Sequence, residues 1–306
     1  MRVTSNMSAD NSIYNIQQGR ARLDKLQELT SSGSIINRPS DDPINSRLLL
    51  DIGDKLRAGD QYLSNIQKST TWQKFTNSAL TGMSETMTLA KRLASSISGG
   101  STDATVRQNA VSQLQALKQQ MVDMGNMQMG DQYIFGGAKN TAQPFSNVVS
   151  PPAAVTDYYT GDETALNIEI GNSTTQTMNI TGNQVLTGSG ATTPYGTTNV
   201  FKAFDDLIAA VGANDVAGIE AASQGLEAGA RQINNAQSDV ASRLLRLDST
   251  TKMNENTRST LMTVYSNTQD VDYAKLAVQL SQQQMAFEAS LSATAKLSKL
   301  SLLDYL

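Results

Sequence analysis

The sequence predicts a mainly α-helical protein with a small inserted β domain, drawn out as an elongated rod of long antiparallel helices. Three observations predict it. All six prolines lie between Pro39 and Pro194, so that neither Gly nor Pro interrupts the chain from Arg231 to Leu306, and a block without a breaker can run helical for most of its length. After Pro43, apolar residues recur at three- and four-residue spacing through Ile97, the signature of an amphipathic helix. From Asn140 through Phe201 there is no Lys or Arg, and Thr, Gly, Asn and Ser dominate.

The first element is an amphipathic N-terminal helix carrying Ile13, Ile16, Leu23 and Leu26. A loop begins near Ser31-Ser32-Gly33, and Arg38, standing before Pro39, is expected to be extended. Ser40-Asp41-Asp42 then supplies cap oxygens, with Pro43 suited to the first helical position. The helix that follows has the stripe Leu49, Ile52, Leu56, Gly59, Leu63, Ile66, then Leu80, Met83, Met87, Ala90, Ala94 and Ile97. Polar Thr70, Gln73 and Asn77 interrupt it, giving a coiled-coil-like seam with a weak middle. Ile97 to Asp103, containing Ser98-Gly99-Gly100-Ser101, ends it, and a third helix runs from about Ala104 to Gly130 with Ala110, Leu114, Leu117, Met121 and Met124 as its seam. Pro43 to Ile97 as one helix is about 80 Å long, against a diameter near ~50 Å for a compact globule of this length, hence the expectation of an elongated molecule.

In the polar stretch, Leu166, Ile168 and Ile170 alternate with Asn167 and Glu169, Gly171-Asn172 intervenes, and Met178 and Ile180 flank Asn179. This is a hairpin pattern. Tyr158-Tyr159-Thr160 is expected to form a preceding strand, completing a small antiparallel β domain. A short helix follows near Val200 with Phe201, Phe204, Leu207, Ile208 and Val211 on one stripe, ended by Gly212-Ala213-Asn214-Asp215. The last stretch carries Tyr273, Leu276, Leu280, Phe287 and Leu291, then Leu297, Leu300 and Leu303.

Composition removes much chemistry. With no Cys and no His, the chain cannot build zinc fingers, disulfide frameworks, thiol nucleophiles, Ser-His-Asp triads or His switches. A net charge of −4 argues against nucleic-acid binding, and aromatics at 5% make stacking platforms hard to build. The N-terminus has no apolar core of a signal peptide and no run of about 18 apolar residues occurs, so neither a cleaved leader nor a membrane association is expected. Asp41-Asp42 is read as a helix cap rather than a metal or acid/base pair, since no second cluster of acids or bases accompanies it. Gly136-Gly137 after Tyr133-Ile134-Phe135 lacks phosphate-loop spacing and reads as a turn. Asn172-Ser173-Thr174 and Asn179-Ile180-Thr181 match the glycosylation pattern but arise readily in a Thr-rich segment. Met121, Met124, Met127 and Met129 could make an adaptable binding surface, but Met121 and Met124 fall on the helical seam, so core packing is the default reading. No convergent catalytic set, cofactor site or metal site is found, so the chain is read as not an enzyme.

What remains unusual is the two amphipathic ends. A pair of helices has too little interior to cover both faces of each, so apolar surface there must meet other copies or other proteins.

Several segments carry a family resemblance. Ile36-Asn37-Arg38-Pro39-Ser40-Asp41-Asp42-Pro43 follows the N-terminal helix, and Tyr133-Ile134-Phe135-Gly136-Gly137-Ala138-Lys139 precedes Pro144-Phe145. Tyr159-Thr160-Gly161-Asp162 opens the β segment, and the chain ends in Leu297-Ser298-Lys299-Leu300-Ser301-Leu302-Leu303-Asp304-Tyr305-Leu306. Over essentially the whole chain this resembles the hook-associated protein 3 (FlgL) family of flagellar hook-filament junction proteins, within the flagellin-like superfamily. Flagellin itself shares the plan, but there small residues usually follow the Asp pair, where this chain has Pro43-Ile44-Asn45.

The resemblance implies a secreted bacterial structural protein, exported without a cleaved leader by the flagellar type III apparatus. Its implied partners are other copies of itself in a ring, hook-associated protein 1, flagellin, and an export chaperone at the C-terminal region. On this reading residues 1–42 and 270–306 form the inner assembly region, 43–130 and 200–269 the two halves of the helical rod, and 131–199 an outward β-rich domain. Ile13 to Leu26 and Tyr273 to Leu303 would line the inner tube. An alternative of another class is a surface adhesin or glycan-binding module on a helical stalk, with Tyr158, Tyr159 and Tyr195 as its aromatic platform.

Overall fold

The computed structural model of the chain describes residues 5–98, 103–145 and 158–303, with the side chains of residues 5–9, 98 and 297–303 outside that description. It is mainly helical. The helices are α1 (Ser5–Ser32), α2 (Pro43–Ser98), α3 (Ala104–Gly125), α4 (Val200–Ala213), α5 (Val216–Gln269) and α6 (Tyr273–Leu303). Four short strands, β1 (Gln128–Met129), β2 (Gln132–Tyr133), β3 (Asn167–Gly171) and β4 (Thr174–Thr177), and a π-helical turn at Asn183–Thr187 lie between α3 and α4. Contacts divide the chain into two units, Gly59–Glu255, and Met1–Ala58 with Asn256–Leu306.

The central unit, Gly59–Glu255, holds the main core. The face of α2 that it buries is Ile66, Ser69, Gln73, Thr76, Leu80, Met83, Met87, Ala90, Ala94 and Ile97, an unbroken alternation of three- and four-residue steps. The weak middle therefore keeps its register and changes only in residue type: Ser69, Gln73 and Thr76 occupy seam positions. On α5 the matching set is Ile219, Ala222, Leu226, Gly229, Ile233, Ala236, Val240 and Leu247. Leu114 and Met121 of α3 and Phe201, Phe204, Leu207 and Val211 of α4 complete the helical core together with Trp72. Asp103 caps α3 by accepting from Thr105 N, and Asn199 caps α4 by accepting from Lys202 N.

Among its described residues the polar stretch forms less sheet than expected. β3 pairs antiparallel with β4 in the register Asn167↔Thr177, Ile168↔Gln176 and Glu169↔Thr175, with a bulge before Gly171↔Thr174. Beyond Thr177 the side chain of Asn179 replaces the ladder. It accepts from Leu166 N at 2.8 Å and donates to Thr164 O at 2.9 Å, which is why Met178 to Ile180 is not strand. Among the described residues Tyr158 to Thr160 makes one bridge, Phe145↔Tyr159. Both tyrosines are buried, and neighbours in a strand point to opposite faces, so this pair could not be a half-buried strand. A second ladder, β1 with β2, precedes them at Gln128↔Tyr133 and Met129↔Gln132.

The β3–β4 hairpin is held by side chains that donate to its carbonyls. Asn65 Nδ2 donates to Glu169 O at 2.8 Å and Asn254 Nδ2 to Ile170 O at 3.2 Å. Gln73 Nε2 donates to Met178 O at 3.0 Å, and Arg243 NH1 to Asn179 O at 3.0 Å. Ile66, Ile170 and Leu247 add a small separate apolar cluster. Seam position 73 is polar because it faces backbone carbonyls, and an apolar residue there would leave them unpaired.

In the other unit, α1 packs along α6. The long helical block breaks at Asp270–Asp272 without Gly or Pro. Ile35 N donates to Gln269 O at 2.6 Å and Val271 N to Gly33 O at 3.1 Å, tying the loop after α1 to the break. Asp272 then caps α6, its Oδ1 accepting from Ala274 N and Lys275 N.

Candidate assembly interface

The residues predicted to form an assembly surface fall on both sides of the α1–α6 pair. Leu276 is buried, and Ile16, Leu23, Leu26, Leu280 and Phe287 are half-buried. Ile13, Tyr273 and Leu291 are exposed, at 52%, 58% and 43%. The side chains of Leu297, Leu300 and Leu303 lie outside the described residues. Gln283 Nε2 donates to Gly19 O at 3.2 Å, which fixes α6 against α1 beside Phe287.

Sequence reading missed a second stripe. Val278 and Met285, one heptad apart on α6, are 57% and 60% exposed, and Tyr14 on α1 is exposed as well. They stand roughly opposite Leu276 and Leu280, since two residues turn a helix by about 200°. Their only signal in the sequence is the seven-residue interval, hidden by the stronger stripe beside it. Among the described residues of this unit, Leu49, Ile52 and Leu276 are the buried apolar ones. Ile44, Leu48 and Leu50 on the first turns of α2, and Met262 and Val264 on α5, are exposed. This unit is therefore the candidate assembly surface.

The segment Asn37 to Pro43 closes on itself and on α1. Asp41 Oδ2 accepts from Asn37 N at 3.2 Å and Arg38 N at 3.0 Å, while Lys25 Nζ reaches its Oδ1 at 3.1 Å. The hydrogen bond from Lys25 holds the Asp41 carboxyl below the usual carboxylate range and raises the Lys25 ammonium in turn. Arg38 sits 3.5 Å from Glu28, extending the ion cluster. Asp42 Oδ1 accepts from Ile44 N and Asn45 N, at 3.1 and 3.0 Å, with Asn45 Nδ2 on its other oxygen. The Asn45 backbone bond is the main reason that the Asp42 carboxyl is also depressed. Pro39 and Ser40 form the exposed outer bend, and Pro43 begins α2. The acidic pair thus divides its work, Asp41 closing the loop and Asp42 capping the helix.

Two motifs remote in sequence meet in the central unit. Gly137 has φ +70° and a Cβ there would fall 2.4 Å from Asp162 O. Asp162 Oδ1 accepts from Ala138 N at 2.6 Å, and Asp162 N donates to Gly136 O at 3.1 Å. Tyr159 OH donates within 2.8 Å of both Phe135 O and Asp162 O. Burial pushes the Tyr159 phenol well above its ordinary value. Phe145 packs on Tyr159 and Phe201 at 5.2 and 5.4 Å between centroids. Tyr158 stacks on Phe201, its OH donating to Asp205, which Lys118 pairs at 2.7 Å. Tyr158 and Tyr159 are therefore core residues, and of the three tyrosines weighed as an aromatic platform only Tyr195 stays half-exposed.

Among the described residues no group of three or more acidic side chains is placed to hold a metal, and no helix is long and apolar enough to cross a membrane.

Residues 3–140 match the profile of the bacterial flagellin N-terminal helical region, and residues 224–306 that of its C-terminal helical region. The flagellar hook-associated protein 3 of Salmonella typhimurium is 24% identical over 307 residues, 95% of either chain. That of Escherichia coli K12 is 22% identical over 99% of this chain and 98% of its own. In fold, the chain is similar to a hook-associated protein of Vibrio parahaemolyticus described as putative, with TM-score 0.64, 20% identity and coverage of 75% of this chain and 100% of that one. The flagellar junction protein FlgL of Legionella pneumophila gives TM-score 0.59 at 15% identity, covering 74% and 100%.

Proposed function

From a chain that belongs to the flagellin family, as a hook-associated protein of the FlgL type, we propose a structural adaptor at the junction of the flagellar hook and filament. In this reading copies of the chain form a ring. One face of the ring docks on hook-associated protein 1, the other templates the first flagellin subunits, and no covalent bond is made or broken. The protein acts outside the cell on the flagellum, with a chaperone holding its C-terminal region before export.

The observation that carries this reading is the α1–α6 pair, whose α6 presents apolar residues on two sides while α1 can cover only one. A full heptad seam needs neighbours on each apolar side. In a ring, Val278 and Met285 of one copy would be covered by helices of the next. The same near-complete overlap with hook-associated relatives at both ends of the chain favours the junction over a filament subunit.

Replacing Leu280 or Phe287 by Asp tests the reading. Each places a charge in the proposed inner tube, so incorporation into flagella is expected to fail while the central unit keeps its helicity and melting temperature. Normal incorporation of both variants would remove these side chains from the assembly surface.

A further inference from the structure

Strand β4, the chain at 163–165, 179–184 and 194–195, and α5 line an open polar groove that the junction role does not use. Its larger part, about 550 Å³, is lined by Glu163, Gln184, Tyr195, Asn235, Ser238 and Asp239 among others, and its volume falls in the range of small-molecule sites. A second part, about 360 Å³, shares Thr177, Asp239 and Arg243 with it and runs on to Ser242 and Arg246. From Asn235 to Arg246 the α5 wall extends about 16 Å.

The carboxylates of the larger part already have hydrogen-bond partners. Asp239 takes Arg243 at 2.7 Å and the Tyr195 hydroxyl at 2.6 Å, and Arg243 spends its other nitrogen on Thr177 O and Asn179 O. Glu163 accepts from Asn183 Nδ2 at 2.7 Å and Ala191 N at 2.8 Å. What the groove offers a ligand is thus not a free ion but hydroxyls, amide oxygens and the remaining lone pairs of two carboxylates. Ser238 donates only along its own helix, to Asn234 O, and Asn235 and Gln184 use their amide nitrogens on Tyr195 O and Thr192, leaving their oxygens to accept. Tyr195, half-buried and packed against the core, lines the groove with its ring. Its ring is fixed at the hydroxyl by Asp239 and at its own carbonyl by Asn235, so it is ordered before any ligand arrives.

We propose that this groove binds a neutral linear oligosaccharide. Ring hydroxyls would donate to the acceptor-rich wall, one sugar face would lie against Tyr195, and the length of the groove would accept more than one ring. The proposal stands apart from the junction reading, because every residue it uses lies in the central unit and none belongs to α1 or α6.

The test is calorimetric titration of the full chain with maltotetraose, cellotetraose and chitotetraose. At least one is expected to bind saturably in the millimolar range or tighter. Ser238→Tyr, which fills the groove from an exposed position of α5, is expected to weaken that binding at least tenfold with its melting temperature unchanged. If this variant loses its fold, Asn235→Ala takes its place, with the same tenfold loss expected. Saturable binding to none of the three sugars, or equal binding by the folded groove variant, would overturn the proposal.

Discussion

Single residues decide where this chain turns, and their effects are the sharpest to test. Gly137 cannot be replaced, because a side chain would meet Asp162 O and φ of +70° strains any L residue. Gly137→Ala is expected to cost at least about 2 kcal/mol in chemical denaturation. Its neighbour Gly136 reads the same in sequence. Only the structure separates their roles, since Asp162 sits 25 positions away and nothing local announces it. The acidic pair at the start of α2 was legible, because Asp-Asp-Pro has a local mechanism as a cap. The division of labour was not, because Asp41 owes its partner Lys25 to the return of the loop onto α1. Both carboxyls are depressed in the folded chain. Their contribution is therefore present above the ordinary carboxylate pKa of about 3.9 and is lost as pH falls through their lowered values. The protection of the Arg38 and Asn45 amides, measured as exchange relative to the intrinsic rate at each pH, is expected to fall only below about pH 4, and loss of protection already near pH 6 would contradict these bonds.

At the scale of elements, periodicity did most of the work where a helix has a continuous apolar partner. The seam of α2 from Leu80 to Ile97 and the stripe of α4 stand where spacing puts them. Legibility falls where side chains pair with backbone. Gln73 looks like a defect in a seam until the hairpin carbonyls are seen to lie against it, and Asn179 ends a strand by imitating one. The break between α5 and α6 escapes a search for Gly and Pro because Asp272 makes it by capping. Gln73→Ala is expected to destabilise the central unit by about 1–2 kcal/mol by stranding Met178 O, since Thr177 O keeps its bond from Arg243. Faster amide exchange should then be confined to the hairpin, and an unchanged hairpin would mean that Asn65, Asn254 and Arg243 hold it without Gln73. The second stripe of α6, Val278 and Met285, belongs to this scale too, since a pattern aimed outward is visible only after the inward one is assigned.

For the whole molecule, the contrast between the two units carries the functional argument. The central unit buries large aromatic and aliphatic side chains in one continuous core, whereas the terminal unit leaves much of its apolar surface open. A core of the first kind suits a part that must stay folded alone, and a surface of the second kind suits a part completed by neighbours. The proposed role needs both. Its most direct test is a strain lacking this gene, with cell surfaces viewed by electron microscopy and flagellin assayed in the culture medium. The account predicts hooks without filaments and abundant unpolymerised flagellin outside the cell, because export proceeds while the template is missing. Normal filaments would contradict the junction role, and bare hooks with no flagellin in the medium would mean that this chain is the filament subunit.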